Sequence, residues 1–267
     1  MTGAGLRRRH LAAARRIVVK IGSSLLAPGG RGVRRDRVRA LCTQVANLRR
    51  RRREVVLVSS GAIATGRGLL GVARRPASVA ERQALAAVGQ PELMRAWAEG
   101  FRGFRVPVAQ VLLTRDDLTT ARRRAHARRA LAALLAHGVV PVVNENDIVA
   151  VEEIRMGDND LLSAHVARFV DADALVILSD VDGLYDGPPR AGAARVDIVR
   201  RVTPTVRGWA GRGPGSAVGS GGMRTKLDAA ARATREGVPV VIARGTDRNI
   251  LTRVMAGDSV GTLFLPS

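Results

Sequence analysis

The sequence has a single cysteine, Cys42, which excludes an internal disulfide, and its setting in the helical-looking VRALCTQVANL fits a buried packing role rather than a reactive one. No apolar run approaches the roughly 20 residues needed to cross a bilayer, so a membrane-spanning chain is not expected. The N-terminus, MTGAGLRRRHLAAARR, returns to arginine after four apolar positions and lacks the apolar stretch of a secretory signal. A cytoplasmic location is the expectation. Aromatic residues make up only 3% of the chain, and none is interleaved with the basic runs as a base-stacking surface requires. Two nucleotide-binding signatures are missing as well. The order G-x-x-x-x-G-K-[ST] occurs nowhere, nor does a strand-linked G-x-G-x-x-G with its acidic partner, so P-loop and dinucleotide-dehydrogenase readings lose their main support.

What is present in excess is arginine. The formal net charge is +21, and residues 1–53 carry sixteen basic side chains against Asp36 alone, so +15 of the total lies there. A basic face of this kind attracts phosphates. However, 42 of the 44 basic residues are arginine, the pattern of a compositional bias toward arginine codons, and solvated helix faces absorb most of them. A nucleic-acid partner is therefore not expected. The bias makes its exceptions informative. Two lysines survive, Lys20 and Lys226, both beside glycines, where a compact ammonium on a flexible stem suits the chemistry better than a planar fork.

Along the chain, strand-like and helix-like patterns alternate. RIVVKIG (16–22) reads as a buried strand running into a glycine-serine loop, residues 33–53 carry Val38, Leu41, Val45 and Leu48 at helical spacing, and EVVLVSSGAIATG returns to a strand. The alternation continues through VPVAQVLL, a 121–137 helix, GVVPVVNEND, a helix from about Asp158, DALVILSD, a helix from Met223, and VPVVIA. This predicts an α/β fold, a three-layer α-β-α sandwich with a mostly parallel central sheet, in one domain spanning 1–267, with about 1–15 as a flexible extension. Ligands of such sheets bind beyond the carboxyl ends of the strands, where Lys20, Ser59, Ser60, Asn144, Asp147, Ser179 and Asp180 fall.

Four stretches carry candidate chemistry. GSGGMRTK (219–226) opens a helix with flexible glycines, which present backbone N–H groups to a nucleotide polyphosphate. VVKIGSS allows close backbone approach to an anion, and SSGAIATG can hold a carboxylate, although each alone also describes an ordinary strand end or turn. NENDIVAVEEIRMGDND (144–160) contains three of the chain's five asparagines. A strand ending in NEND and a helix opening at GDND bring carboxamides and carboxylates to one rim, a set suited to a small zwitterion: amides for an α-carboxylate, Asp147 for an α-ammonium, and Asp160 to orient the lysines. Helix capping by Asp158 explains one of these residues and leaves the others unexplained.

In order, VVKIGSSLL, SSGAIATG, AAVGQPEL, QVLLTRDDL, NENDIVAVEEIRMGDNDLLSA, LSDVDGLYD and GSGGMRTKLDAA resemble the glutamate 5-kinases of the amino-acid kinase family, over nearly the whole chain. The resemblance implies the amino-acid kinase fold and transfer of the ATP γ-phosphoryl group to the side-chain carboxylate of L-glutamate, with Mg²⁺, as the first step toward proline. Carried over motif by motif, it makes Lys20, Asp160 and Lys226 catalytic. It assigns Ser60, Asp147 and Asn159 to glutamate. ATP is bordered by Lys20, Ser179, Asp180, Ser220, Gly221, Gly222, Met223, Arg224, Thr225 and Lys226. It also implies a homo-oligomer, a dimer or tetramer, and suggests proline as a feedback inhibitor. Bacterial members commonly continue into a PUA domain, and this chain stops at GDSVGTLFLPS, where the kinase domain would end. YDGPPR is spaced differently from the usual DPR. The alternatives are a kinase of the same fold acting on another small acid and a non-enzymatic RNA-binding module.

Overall fold

The computed structural model describes residues 2–149, 159–188, 192–211 and 222–266. Among these residues eight strands form one sheet: β1 (Arg16–Ile21), β2 (Glu54–Ser59), β3 (Val108–Leu113), β4 (Val140–Glu145), β5 (Ala174–Ser179), β6 (Ile198–Val199), β7 (Val240–Arg244) and β8 (Thr262–Phe264). Their order is β3-β4-β2-β1-β5-β7-β8-β6, and every pairing is parallel except that of β7 with β8. The mostly parallel sheet is as expected. The short β6 and β8 that extend its edge were not marked by the sequence pattern.

The helices are α1 (Gly3–Arg7), α2 (Ser23–Leu26), α3 (Arg35–Arg50), α4 (Ala62–Leu69), α5 (Val79–Arg102), α6 (Arg115–Thr119), α7 (Ala121–Ala136), α8 (Asn159–Phe169), α9 (Pro204–Gly208), α10 (Met223–Arg235) and α11 (Ile250–Ala256). Strand side chains alternate between two cores. Ile17, Val19, Ile21, Val55, Leu57, Val176 and Leu178 pack with α3, α5 and α11. Val18, Val56, Val58, Leu175 and Ile177 pack with α7, α8 and α10 on the opposite face. The three-layer sandwich follows from that alternation. Val38, Leu41, Val45 and Leu48 supply the buried stripe of α3, with Asp36 in its first turn and Arg49 and Arg50 in its last, each suiting the helix dipole. Cys42 is buried in the same stripe, where burial raises its thiol pKa, so its packing role holds.

Two elements position the site. The first is the divergence at β1 and β5: the chain leaves β1 for β2 on one side, while the strands that follow β5, first β6 and then β7, lie on the other. Loops that part in this way leave a crevice at the carboxyl ends of the two strands. The second is the crossing of α4 and α5. A Cβ on Gly66 would lie 1.9 Å from the Leu85 carbonyl oxygen, and one on Gly89 would lie 1.9 Å from that of Ala62. Only glycine at both positions allows this approach. The glycines of SSGAIATG and AAVGQPEL therefore meet each other.

The N-terminal segment differs from the expected flexible extension. Leu11 and Ala14 join the core beside α11, and the Arg7 side chain is fully buried. Its guanidinium donates to the backbone oxygens of Val260, Gly261 and Asp197, each at 2.8 Å, and to Asp197 Oδ1 at 2.7 Å. Arginine supplies enough donors to satisfy the edge carbonyls around β6 and β8, and this docks the segment despite its polar sequence.

Candidate functional site

Lys20 lies two positions after Val18 on β1 and shares its face, so its side chain leaves the sheet on the side covered by α8 and α10. Asp160 stands in the first turn of α8, fully buried, and Lys226 lies one turn into α10, which packs against α8. The three meet. Asp160 Oδ1 pairs closely with Lys20 Nζ, and Asp160 Oδ2 accepts from Lys226 Nζ at 3.3 Å and from Thr225 Oγ1 at 2.9 Å. Lys20 is 4% exposed and Lys226 6%. The chain's two lysines, more than 200 positions apart, thus share one carboxylate. Burying charges is costly unless they are paired, and the shared Asp160 carboxylate pairs with both ammonium groups.

A second cluster begins at Ser60, where β2 ends and the left-handed Gly61 (φ 110°) turns the chain into α4. Asn159 Nδ2 donates to Ser60 Oγ at 2.8 Å and to Asn144 Oδ1 at 2.9 Å. Asn144 Nδ2 donates in turn to Gln90 Oε1 at 2.9 Å, and Gln90 Nε2 to Gln110 Oε1 at 3.3 Å. Asn159 Oδ1 is buried with no partner among the described residues. This carboxamide chain links β3, β4, α5 and α8. The sequence reading placed Asn144 on the rim but missed Gln90 and Gln110. Both lie in motifs that carry the resemblance, AAVGQPEL and QVLLTRDDL, but their long-range partners leave no mark there.

Asp147 follows β4 on the same edge, but no hydrogen bond joins it to Ser60 or Asn159. Burial raises its carboxyl pKa to about 6, opposed by the positive charge of Arg82. Ser179 Oγ donates to Asp180 Oδ1 at 3.0 Å at the end of β5, while Gly245 N donates to the Ser179 carbonyl at 2.8 Å, so the loops after β5 and β7 are joined. Gly222 precedes α10 with extended backbone, and Met223, Arg224 and Thr225 form its first turn, with N–H groups free of the helix ladder. Ser220, Gly221 and Asp158 lie outside the described residues. Among the described residues no group of three or more His, Cys, Asp or Glu side chains could hold a metal ion, and no helix is long and apolar enough to cross a membrane.

An α/β sheet whose central strand ends carry two ammonium groups around one buried carboxylate is equipped to handle anions, and residues 15–244 match the amino acid kinase family. The chain belongs to that family. It is 48% identical to the glutamate 5-kinase of Syntrophotalea carbinolica, over 98% of this chain and 70% of that protein. It is 51% identical to the glutamate 5-kinase of Herpetosiphon aurantiacus, over 94% of this chain and 68% of that one. The crystal structure of UMP kinase from Bacillus anthracis shares the fold, with a TM-score of 0.61 at 15% identity over 95% of this chain and 97% of that one.

Proposed function

We infer that this protein transfers the γ-phosphoryl group of ATP to the side-chain carboxylate of L-glutamate, forming L-glutamyl 5-phosphate and ADP, the first step toward proline. The observation that carries the reading is the buried Asp160 carboxylate joining the chain's two lysines at the strand ends. Two ammonium groups held in place by one carboxylate are suited to stabilise the negative charge of a phosphoryl group passing between them. The extent of similarity to glutamate 5-kinases supports the choice of acceptor.

The nucleophile needs no general base, because a glutamate side chain, with an ordinary pKa of about 4.3, is already ionised at neutral pH. One carboxylate oxygen bonds to the γ-phosphorus as its bond to the bridging oxygen breaks, and that electron pair leaves on ADP. The difficulty is aligning two anions that repel, so alignment and charge stabilisation supply the catalysis. Lys20 and Lys226 carry the developing charge and Asp160 fixes both. The first-turn N–H groups of Met223, Arg224 and Thr225, with Ser220, Gly221 and Gly222 before them, receive the ATP phosphates, and Ser179 and Asp180 border the nucleotide. Ser60 accepts from Asn159, which leaves its own hydroxyl hydrogen for the glutamate α-carboxylate. The open Asn159 Oδ1 and the Asp147 carboxylate suit the α-ammonium. Among the described residues few carboxylates near the site are uncommitted, which fits magnesium held mainly by the nucleotide phosphates and water, where it would supply positive charge.

Proline carries the same α-carboxylate and α-nitrogen as glutamate and competes for the Ser60–Asn159 cluster. The enzyme acts as a dimer or tetramer in the cytoplasm, where ATP and glutamate are both available. The decisive assay is hydroxylamine trapping of acyl phosphate. With ATP it should give product from L-glutamate and little from L-aspartate or N-acetylglutamate; equal rates on all three would overturn the substrate assignment. Light scattering reads the oligomer, and an unchanged apparent KM for glutamate at rising proline would refute competition.

A further inference from the structure

The arginines of residues 1–53 take no part in the site above, and their densest run lies at the opposite edge of the sheet. Residues 51–53 join α3 to β2, and Arg15 immediately precedes β1. Arg15, Arg51, Arg52 and Arg53 line, with Ala12–Ala14, a cleft of about 380 Å³ that has no acidic side chain in its wall. A second cleft of about 430 Å³ adjoins it, sharing Arg15 and Arg52 and adding Arg16, Glu54, Asp171 and Asp173. Both volumes suit a small ligand.

The acids of the second cleft are already committed. Glu54 Oε2 accepts from Arg16 Nε at 2.6 Å, Asp171 pairs with Arg128, and Asp173 Oδ2 accepts the backbone N–H groups of Arg15 and Arg16, both at 2.8 Å. Arg53 is fixed by donating to the Ala12 carbonyl at 2.7 Å, and burial followed by the charge of Arg51 lowers its pKa. The guanidinium groups of Arg15, Arg51 and Arg52 have no hydrogen-bond or ion-pair partner among the described residues. Three uncompensated charges therefore border one small cleft.

The backbone carries an independent mark. At this edge the turns from α7 into β4 and from α10 into β7 use Gly138 (φ 69°) and Gly237 (φ 84°), glycine being the unstrained residue for a left-handed helix end. The turn from α5 into β3 places Arg105 (φ 55°) in that conformation, and the turns from α3 into β2 and from α8 into β5 place Arg52 (φ 58°) and Asp171 (φ 48°) there, of which the last two line the clefts. A side chain is kept at each, against the backbone preference.

We propose that the Arg15–Arg51–Arg52 cleft is a second anion site, separate from the strand-end crevice, that takes a small multivalent phosphate-bearing ligand. Guanidinium forks match phosphate oxygens in pairs, three of them suit more than one phosphate group, and the alanine wall offers no aromatic face to stack a base. Free polyphosphate and the phosphate tail of a nucleotide share this chemistry.

Calorimetric titration of the whole chain with inorganic tripolyphosphate, at near-physiological salt, tests it. The wild type should show two classes of site. The R15S/R51S/R52S variant should lose one, with affinity there falling about tenfold or more, while keeping the other and its phosphotransfer rate. A control of equal charge loss in the exposed first turn of α7, R122S/R123S/R124S, should keep both. Titration with ADP separates the sources: a site in the cleft for ADP means nucleotides enter it, and none means free polyphosphate is the ligand. Arg52→Gly should raise the melting temperature while weakening tripolyphosphate several-fold. A single class of site in the wild type, equal losses in the two triple variants, or unchanged tripolyphosphate affinity in Arg52→Gly would overturn the proposal. None of these readouts depends on which acid the enzyme phosphorylates.

Discussion

The two ends of the central strands are both positively charged, and the charge is organised in opposite ways. At the carboxyl ends two lysines are buried against one fully buried carboxylate. At the amino ends several arginines stand partly in solvent around clefts whose acids are committed elsewhere. The larger count of charges is at the amino ends, but the stronger coupling is at the carboxyl ends. Solvent screens the exposed set, whereas a buried charge acts at low dielectric and must be held in one geometry. Catalysis of a charge-transferring step draws on the second kind of arrangement and anion binding tolerates the first.

The largest effect should come from exchanging the two chemistries at the carboxyl ends. Lys20→Arg and Lys226→Arg keep the charge but replace a compact ammonium with a wide fork, and turnover should fall on the order of a hundredfold or more for each, the scale of losing one preorganised donor. Because both lysines are nearly fully buried, the wider group also strains the packing, so melts should record a loss of about 1–3 kcal/mol. Asp160→Asn removes the carboxylate that both ammonium groups share and should cost a similar factor in rate with a larger loss of stability, about 3–5 kcal/mol. Near-wild-type turnover in both lysine variants would mean that they are survivors of the arginine bias and that the mechanism is wrong.

Gly66→Ala and Gly89→Ala test whether the helix crossing supports the glutamate cluster. A methyl group 1.9 Å from a carbonyl oxygen cannot be accommodated without parting α4 from α5, so each should cost about 2–4 kcal/mol and raise KM for glutamate by shifting Ser60 away from Asn159. Unfolding curves together with initial rates separate the two effects: lost stability with unchanged KM would uncouple the crossing from the site.

The layers and most of the strands were legible because they rest on local patterns: β-branched runs for β1, β2, β4, β5 and β7, and the Val38–Leu48 spacing for α3. The lysines were legible because a compositional bias exposed them. Arg7 was not, since in sequence it is one arginine of LRRR, and only the carbonyls of residues 197, 260 and 261 distinguish it from its neighbours. Gln90 was hidden for the same reason: its partners Asn144 and Gln110 are separated from it by 54 and 20 positions. Periodicity records which face a residue takes, and long-range hydrogen bonds leave no periodic trace.

Asp147 gives a smaller, pH-dependent effect. Burial raises its carboxyl pKa to about 6, above the ordinary carboxylate value, so the native state holds a proton that the unfolded chain releases between roughly pH 4 and 6. Native stability therefore declines as pH rises through that window, and Asp147→Asn should melt higher than wild type at pH 7.5. Binding an α-ammonium requires the ionised form, so the apparent KM for glutamate should rise as pH falls below about 6, and the variant should show a high KM with no such slope. A pH-independent wild-type KM between pH 5 and 7.5 would remove Asp147 from the glutamate pocket.

The smallest effect should come from the reverse exchange at the amino ends. Arg51→Lys keeps a positive charge on an exposed turn and touches none of the strand-end groups, so stability should stay within about 0.5 kcal/mol and turnover within about twofold. If the cleft binds phosphate groups, the loss of one planar fork should still weaken tripolyphosphate by about two- to threefold, because an ammonium cannot engage two oxygens in the same fixed plane. Kinetics and calorimetry on the same preparation read both quantities. A silent rate with a weakened anion makes the two ends of the sheet separate sites, whereas a change in turnover that matches the change in tripolyphosphate affinity would show that charge at the amino ends reaches the reaction, and that the contrast between coupled lysines and screened arginines fails.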